Sequence, residues 1–111
     1  MKFIAIVEAR TGSKRLPNKV MKKLNKKEAI IFLVDRLKRS KEIDKIVIAT
    51  TDKKNDDKLV KLVSKNNLNF FRGSENNVLS RVYFAAKKFN ADVIIEISGD
   101  SPFIDPIIID E

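Results

Sequence analysis

The residues best suited to chemistry lie together, directly after the first apolar run of the chain. Positions 10 to 19 contain four cations, two hydroxyl side chains and a glycine: Arg10, Thr11, Gly12, Ser13, Lys14, Arg15 and Lys19. Arginine and lysine side chains beside backbone N–H groups suit a polyphosphate, because all of them donate to its oxygens. Gly12 stands alone and no Gly-Lys-Ser/Thr sequence follows it, so this is not the loop of the P-loop NTPases. The segment predicts a phosphate-binding loop, with a basic surface loop as the alternative.

Absent residue types narrow the chemistry further. The chain contains no cysteine, histidine or tryptophan. It therefore has no disulfide, thiolate zinc site, iron–sulfur cluster, Cys nucleophile or histidine general base of its own. Carboxylates, hydroxyls, lysine, arginine, backbone N–H groups and oxygen-ligated metals such as Mg²⁺ remain. These groups suit the positioning and charge neutralisation of phosphate groups.

The elements that must position these residues alternate between strand and helix. Apolar residues at positions 30, 33, 34 and 37 have helical spacing, and Asn66-Asn67 predicts a left-handed helix stop. Strands joined by helices predict an α/β fold with a parallel sheet, a three-layer α/β/α sandwich. The last strand is nearly all apolar, so we expect it to be covered on both faces. The predicted strands are 2–7, 45–50, 68–71 and 91–97, and the predicted helices are 27–39, 56–65 and 76–89.

Glycine and proline fall mainly at one edge of this predicted sheet. Gly12, Gly73 and Gly99 each follow a predicted strand, and Pro17 and Pro102 lie in the same loops. Ligands of parallel α/β sheets bind outside the carboxyl ends of the strands. Because glycine lets the backbone approach another group closely, we expect the binding site at this edge. Ordinary loop punctuation is the alternative.

Size and charge set further limits. A chain of 111 residues is one domain or part of one. Its net charge is +8, and residues 1–50 carry 14 Lys/Arg against 5 Asp/Glu, a net +9. This basic half predicts an anionic partner: a phosphorylated small molecule, a nucleic acid or a membrane surface. A lysine-rich solvated surface is the alternative. The apolar run at 3–7 is far shorter than the ~20 residues of a membrane-spanning helix, so we expect a cytoplasmic protein.

Four motifs resemble those of the sugar-acid cytidylyltransferases, which activate sialic acid, Kdo and related nonulosonic acids. They occur in matching order and spacing over nearly the whole chain, as in the branch concerned with spore-coat polysaccharide biosynthesis. The motifs are Ala9-Arg10-x-Gly12-Ser13-x-Arg15-Leu16-Pro17-x-Lys19, then Ala49-Thr50-Thr51-Asp52, then Arg72-Gly73-Ser74-Glu75 with Val78-Leu79 and Arg81, and last Gly99-Asp100-Ser101-Pro102-Phe103-Ile104-Asp105-Pro106.

The resemblance implies a nucleotide-diphospho-sugar transferase fold, GT-A-like and Rossmann-like, and a reaction. A sugar-acid hydroxyl attacks the α-phosphate of CTP, pyrophosphate leaves and a CMP-sugar forms, with Mg²⁺ as cofactor. Residues 1–111 would be the nucleotide-binding half of the domain, because family members are about twice as long. The implied partners are CTP, a sugar acid and, for a full-length protein, a second identical subunit, without nucleic acid or membrane.

The resemblance also implies roles for individual residues. Arg15, Lys19 and Asp100 are the implied catalytic residues, with Asp100 as metal ligand and the two cations on the leaving pyrophosphate. The backbone of Ala9 is expected to contact the base or ribose. The other implied nucleotide contacts are Arg10, Gly12 and Ser13 on the triphosphate, and Arg72, Gly73 and Ser74 near the cytosine.

Several positions allow two interpretations. Arg81 either takes part in the site or is a structural salt-bridge partner, and we expect Asp52 to cap a helix rather than contact a ligand. Asp105 is expected to begin a helix. Glu8 replaces a more usual Gln or Pro and adds a negative charge near the triphosphate unless it faces away. Asn18 replaces a common glycine, which asparagine can imitate at positive φ.

Two other functions stay open. A non-catalytic nucleotide-binding fragment would keep the same motifs. A basic nucleic-acid-binding module would explain the charge, but the seven Phe and one Tyr fall mostly at predicted core positions rather than on a stacking surface. The chain also carries no recognised nucleic-acid-binding motif.

Overall fold

Four parallel strands and three helices build the protein, whose computed structural model describes residues 1–11, 23–24 and 27–98. A 3₁₀ turn, Lys54–Asp56, precedes the second helix. The elements are β1 (Phe3–Glu8), β2 (Lys23–Leu24), β3 (Lys27–Glu28), α1 (Ala29–Leu37), β4 (Lys45–Thr51), α2 (Asp57–Lys65), β5 (Asn69–Gly73), α3 (Val78–Lys88) and β6 (Val93–Ser98). The sheet has the order β5-β4-β1-β6, and β2 pairs with β3 as a separate antiparallel ribbon.

The central strand β1 lies between two apolar clusters, because successive side chains of a strand point to opposite faces. Ala5 and Val7 pack with α1 and α2 on one face, whereas Ile4 and Ile6 pack with α3 on the other. All four side chains are fully buried. The predicted three-layer α/β/α arrangement is therefore confirmed.

The four predicted strands of the main sheet and the three predicted helices are all present, and their ends differ from the predicted ones by at most two residues. Asn67 has a φ of 58°, which confirms the left-handed stop after α2. The β2–β3 ribbon was not predicted, because two residues per strand leave no periodic pattern. In the described ranges, none of the helices is long and apolar enough to cross a membrane.

Two sequence predictions about these elements are wrong. Asp52 does not cap α2, because the 3₁₀ turn intervenes and the helix begins after Asp56. Strand β6 is not covered on both faces, since α3 packs over β1, β4 and β5. Ile97 is buried against the α1–α2 side, but Ile94 remains 43% exposed on the α3 side and Glu96 is exposed next to it.

All four parallel strands end at one edge of the sheet, which is the edge predicted to bind a ligand. Their last residues are Glu8, Thr51, Gly73 and Ser98. Hereafter this is the carboxyl edge. Of the three glycines predicted to serve it, Gly73 is described, whereas Gly12 and Gly99 lie outside the described residues.

Candidate functional site

Hydrogen bonds anchor the chain on both sides of Arg10, the first of the predicted phosphate-binding residues. The N–H of Ala9 donates to the carbonyl of Ala49 at 3.0 Å, which extends the β1–β4 pairing by one residue. The N–H of Thr11 donates to Oδ1 of Asp56 at 2.7 Å. Ala9 is buried and Arg10 is exposed. The backbone is thus fixed, while the guanidinium stands in solvent at the carboxyl edge.

The buried carboxylate of Asp56 joins this first loop to the segment between β4 and α2. Asp56 is only 2% exposed and also accepts a hydrogen bond from the hydroxyl of Thr51. The Thr11 hydroxyl lies 2.8 Å from Oδ1 of Asp56 and 2.7 Å from the carbonyl of Asn55. Burial acts to raise the pKa of Asp56, but the bonds from Thr51 and Thr11 and the charge of Arg72 outweigh it and lower that pKa. The carboxylate is therefore ionised at neutral pH.

Arg72, which was predicted to face the cytosine, ties β5 to the same segment. Its Nε donates to the carbonyl of Thr51 and its Nη2 to the carbonyl of Lys53, both at 2.8 Å. Its Nη1 lies 2.8 Å from Oδ1 of Asp57, in the first turn of α2. Three of its five N–H donors are thus used within the protein. The structure gives Arg72 a structural role, and its contact with a base stays a prediction.

Gly73 ends β5 where the side chain of Arg81 crosses it. A Cβ at this position would lie 3.0 Å from Cε2 of Phe71 and 3.2 Å from Cγ of Arg81. Arg81 is 2% exposed, and its Nη1 donates to the carbonyl of Ser74 at 3.0 Å. The close approach predicted for glycine is confirmed here, and the group that approaches is a protein side chain.

A cavity of about 190 Å³ opens at the carboxyl ends of β1 and β6, beside the start of α3. Two guanidiniums and two carboxyl groups lie in its wall, so it offers donors for phosphate or carbonyl oxygens and acceptors for amino or hydroxyl groups. We call it the carboxyl-edge pocket. Its lining residues are Glu8, Ala9, Arg10, Glu75, Val78, Arg81 and Ser98.

Glu8 keeps its proton at this pocket to a higher pH than an ordinary glutamate does. Its burial, a hydrogen bond with the carboxyl group of Glu96 and the negative charge of that group raise its pKa to about 7, against the opposing charge of Arg81. Nη2 of Arg81 lies 3.9 Å from Oε1 of Glu8. Burial in turn lowers the pKa of Arg81, and its Nε has no hydrogen-bond partner in the described part of the chain. The raised pKa therefore reduces the extra negative charge expected at Glu8 near neutral pH.

The structure brings some of the predicted site residues together and separates others. Ala9 and Arg10 line the carboxyl-edge pocket with Arg81, and Ser74 holds Arg81 through its carbonyl group. Arg72 instead faces the α2 side of the sheet, where it meets Asp57. The roles predicted for Gly12, Ser13, Arg15, Lys19 and Asp100 fall outside the described residues and stay predictions, as does the helix start at Asp105.

Sequence reasoning missed two groups at this edge. Nothing in the sequence distinguishes Asp56 from its neighbour Asp57, because only the fold brings Thr11 to one of them. The sequence did contain a sign that Glu96 is unusual, since it is the single charged residue in the apolar strand β6. A parallel register that aligns Ile6 with Glu96 was needed to connect the two.

The fold is the α/β fold of the nucleotidyltransferases. A structure of CMP-2-keto-3-deoxy-manno-octonic acid synthetase complexed with CTP shares the fold, with a TM-score of 0.84 over 99% of this chain and 24% identity. Residues 4–111 match the cytidylyltransferase family. The chain belongs to that family.

Individual relatives support the assignment along the whole chain. An uncharacterised protein of Methanocaldococcus jannaschii is 49% identical over 111 residues, which are all of this chain and 46% of that protein. The spore coat polysaccharide biosynthesis protein SpsF of Bacillus subtilis is 41% identical, over 97% of this chain and 47% of its own length. A cytidylyltransferase structure from Leptospira borgpetersenii gives a TM-score of 0.93 at 39% identity, over 99% of this chain and 46% of that one. The chain thus spans about half the length of these relatives.

Proposed function

We propose that this chain is the nucleotide-binding half of an enzyme that transfers CMP from CTP to a nonulosonic-type sugar acid in surface polysaccharide biosynthesis. Membership of the cytidylyltransferase family supports CTP as donor. Similarity to a protein named for spore coat polysaccharide biosynthesis supports the pathway. The proposal includes a cytoplasmic location and a homodimer for the full-length protein.

The observation that carries the proposal is the carboxyl-edge pocket in a chain of this family. Arg10 and Arg81 line it at the end of β1, where a nucleotide of a parallel α/β protein binds. Cytosine has acceptors at O2 and N3 and a donor at N4, so a wall with both guanidinium and carboxyl groups can meet both kinds of atom. The pocket therefore suits a nucleotide better than a purely anionic ligand.

The proposed reaction requires little covalent chemistry from the protein itself. A hydroxyl oxygen of the sugar acid bonds to the α-phosphorus of CTP, and the bond from that phosphorus to the bridging oxygen of the β-phosphate breaks. Pyrophosphate leaves with the bridging oxygen, and the hydroxyl proton passes to solvent. Positioning and charge neutralisation dominate such transfers. We assign Arg10 to the phosphate oxygens, and Arg15 and Lys19 to the leaving pyrophosphate.

Mg²⁺ is the cofactor that the proposal includes. Within residues 1–11, 23–24 and 27–98, no three metal-ligating side chains form a group. Nη2 of Arg81 lies 3.9 Å from Oε1 of Glu8, and its positive charge disfavours a second cation beside that carboxyl group. A single carboxylate with phosphate oxygens and water does suit Mg²⁺, and Asp100 follows the pocket residue Ser98 by two positions. Bound Mg²⁺ would neutralise charge on the phosphate oxygens.

Nucleotide titrations test this function against its alternatives. We expect calorimetry in the presence of Mg²⁺ to show that CTP binds more tightly than UTP or GTP. We also expect pyrophosphate release from CTP, by the full-length protein, with at least one member of a panel of nonulosonic acids. Equal affinity for all three nucleotides, or tighter and steeply salt-dependent binding of single-stranded nucleic acid, would contradict the proposal.

A further inference from the structure

We infer that Asp56 is a positioning residue of the nucleotide site: through Thr11 it fixes the backbone at Arg10, and so sets where the Arg10 guanidinium meets a bound nucleotide. The inference rests on the proposed function, because it concerns the same pocket. Asp56 is not among the residues that line the carboxyl-edge pocket. It acts on the pocket through its hydrogen bond to Thr11, which fixes the backbone next to Arg10.

The first step is the double anchoring of Arg10. On one side the N–H of Ala9 donates to Ala49 in β4, and on the other the N–H of Thr11 donates to Asp56. Arg10 itself is exposed. These two bonds fix the backbone that carries the side chain, and so limit the region that the guanidinium can reach.

The second step is that Asp56 does not act as an ordinary helix cap. It stands at the N-cap position of α2, yet its side chain accepts no capping hydrogen bond from that helix. An aspartate at this position usually accepts from the N–H groups of the first helical turn. Here the carboxylate turns inward to Thr11 and Thr51 instead. A buried carboxylate is costly unless it is well bonded, and here the N–H and hydroxyl of Thr11 and the hydroxyl of Thr51 all bond to it.

The third step is that the segment carrying Asp56 is itself held firmly. Arg72 reaches from β5 to the carbonyls of Thr51 and Lys53 and to the side chain of Asp57. The segment from 51 to 57 is thus tied to β5 on one side and to Thr11 on the other. Asp56 therefore has a rigid base from which to position Arg10.

The substitution Asp56→Asn tests the inference, because positioning and simple charge removal would change the affinity for CTP in opposite directions. Removal of a negative charge near a triphosphate would, by Coulomb attraction alone, tighten CTP binding. Loss of positioning instead weakens it, and we expect the dissociation constant for Mg²⁺·CTP to rise roughly tenfold. The matched control is Asp92→Asn, which makes the same change of charge at an exposed residue whose carboxylate also accepts from a backbone N–H, that of Lys2, at the opposite edge of the sheet. We expect it to leave the dissociation constant within about twofold of the unaltered chain.

A double-mutant cycle with Arg10→Ala separates positioning from general loss of structure. If Asp56 acts through Arg10, Asp56→Asn has no further effect on CTP binding once the Arg10 side chain is gone. The amide oxygen of asparagine can still accept from the Thr11 N–H, so Asp56→Ala, which removes both carboxylate oxygens, runs in the same cycle. Equal weakening in both backgrounds, or unchanged or tighter binding by Asp56→Ala, would overturn the inference. If Asp56→Ala does not fold, Asp56→Glu takes its place, because its longer side chain moves the carboxylate away from the Thr11 N–H.

Hydrogen exchange of the Thr11 amide tests its hydrogen bond to Asp56 in the absence of a nucleotide. We expect this amide to exchange faster in Asp56→Ala than in Asp92→Asn, while amides within β1 and β4 keep their protection. Unchanged protection of Thr11 would overturn the inference even where CTP binds. Failure of the unaltered chain to bind CTP would contradict the proposed function instead.

Discussion

At the end of β1, Glu8 keeps a proton that an exposed glutamate would lose well below neutral pH. The ordinary pKa of 4.5 rises to about 7 because the carboxyl group is partly buried and bonded to Glu96. In the pH range between these values the folded protein holds a proton that the unfolded chain has released. The contribution of Glu8 to the free energy of unfolding is therefore fully present below about pH 4.5 and is lost as the pH rises through about 7.

The change Glu8→Gln should remove this pH dependence. We expect the free energy of unfolding at pH 8 to increase by on the order of 1–2 kcal/mol relative to the unaltered chain, with little difference at pH 4. Urea unfolding at several pH values measures it, with Asp52→Asn as the control carboxylate. A stability curve of Glu8→Gln that runs parallel to that of the unaltered chain would show that Glu8 titrates normally.

Gly73 offers a second prediction at the scale of one residue. Gly73→Ala would place a Cβ against the Phe71 ring and the Arg81 side chain, at 3.0 and 3.2 Å. Because the φ of Gly73 is not positive, an alanine would cause no backbone strain at this position, and the steric contacts of its Cβ alone would destabilise the fold. We expect a loss of about 1–3 kcal/mol in unfolding free energy. Stability equal to that of the unaltered chain would mean that both side chains move aside at no cost.

At the scale of elements, the segment between β4 and α2 links the two motifs predicted to bind the nucleotide. Asp56 ties it to the loop after β1, and Arg72 ties it to β5. We expect Arg72→Ala to cost about 2 kcal/mol of unfolding free energy, because two backbone carbonyls lose a charged donor. Arg72→Lys should recover little, since an ammonium group cannot make the three contacts of the guanidinium.

The same variant decides between a structural and a base-reading role for Arg72. A contact with cytosine predicts that Arg72→Ala lowers the preference for CTP over UTP, measured at a temperature where the variant is folded. A preference that survives the substitution would leave Arg72 as a structural residue only.

The sequence predicted the elements well because their signal is periodic and local. The apolar spacing of α1 and the β-branched runs of β1 and β4 depend on neighbouring residues, and they fixed these elements to within two residues. The exposed face of β6 was missed because an apolar strand does not reveal how far α3 extends across the sheet. Asp56 was missed for a similar reason: its partner Thr11 is 45 residues away in sequence. Contacts between distant segments need the fold.

At the scale of the whole molecule, we expect this chain to bind CTP weakly and only with Mg²⁺. It spans about half the length of the relatives it matches. Calorimetry with and without Mg²⁺ should show that Asp100→Asn reduces the Mg²⁺ dependence of CTP binding, whereas Asp92→Asn does not. Mg²⁺-dependent binding that is unaffected by Asp100→Asn would remove Asp100 from the metal site.

The place of β1 in the middle of the sheet has a consequence for synthesis on the ribosome. Ile4 pairs with Lys45 in β4 and with Ile94 in β6, so one neighbour of β1 is made about 90 residues after it. At roughly 5–20 residues per second, the second edge of β1 waits on the order of 5–20 s for its partner. During that interval a strand that is apolar except for Glu8, with unpaired N–H and C=O groups, is open to other nascent chains, which makes early chaperone contact at residues 3–8 advantageous.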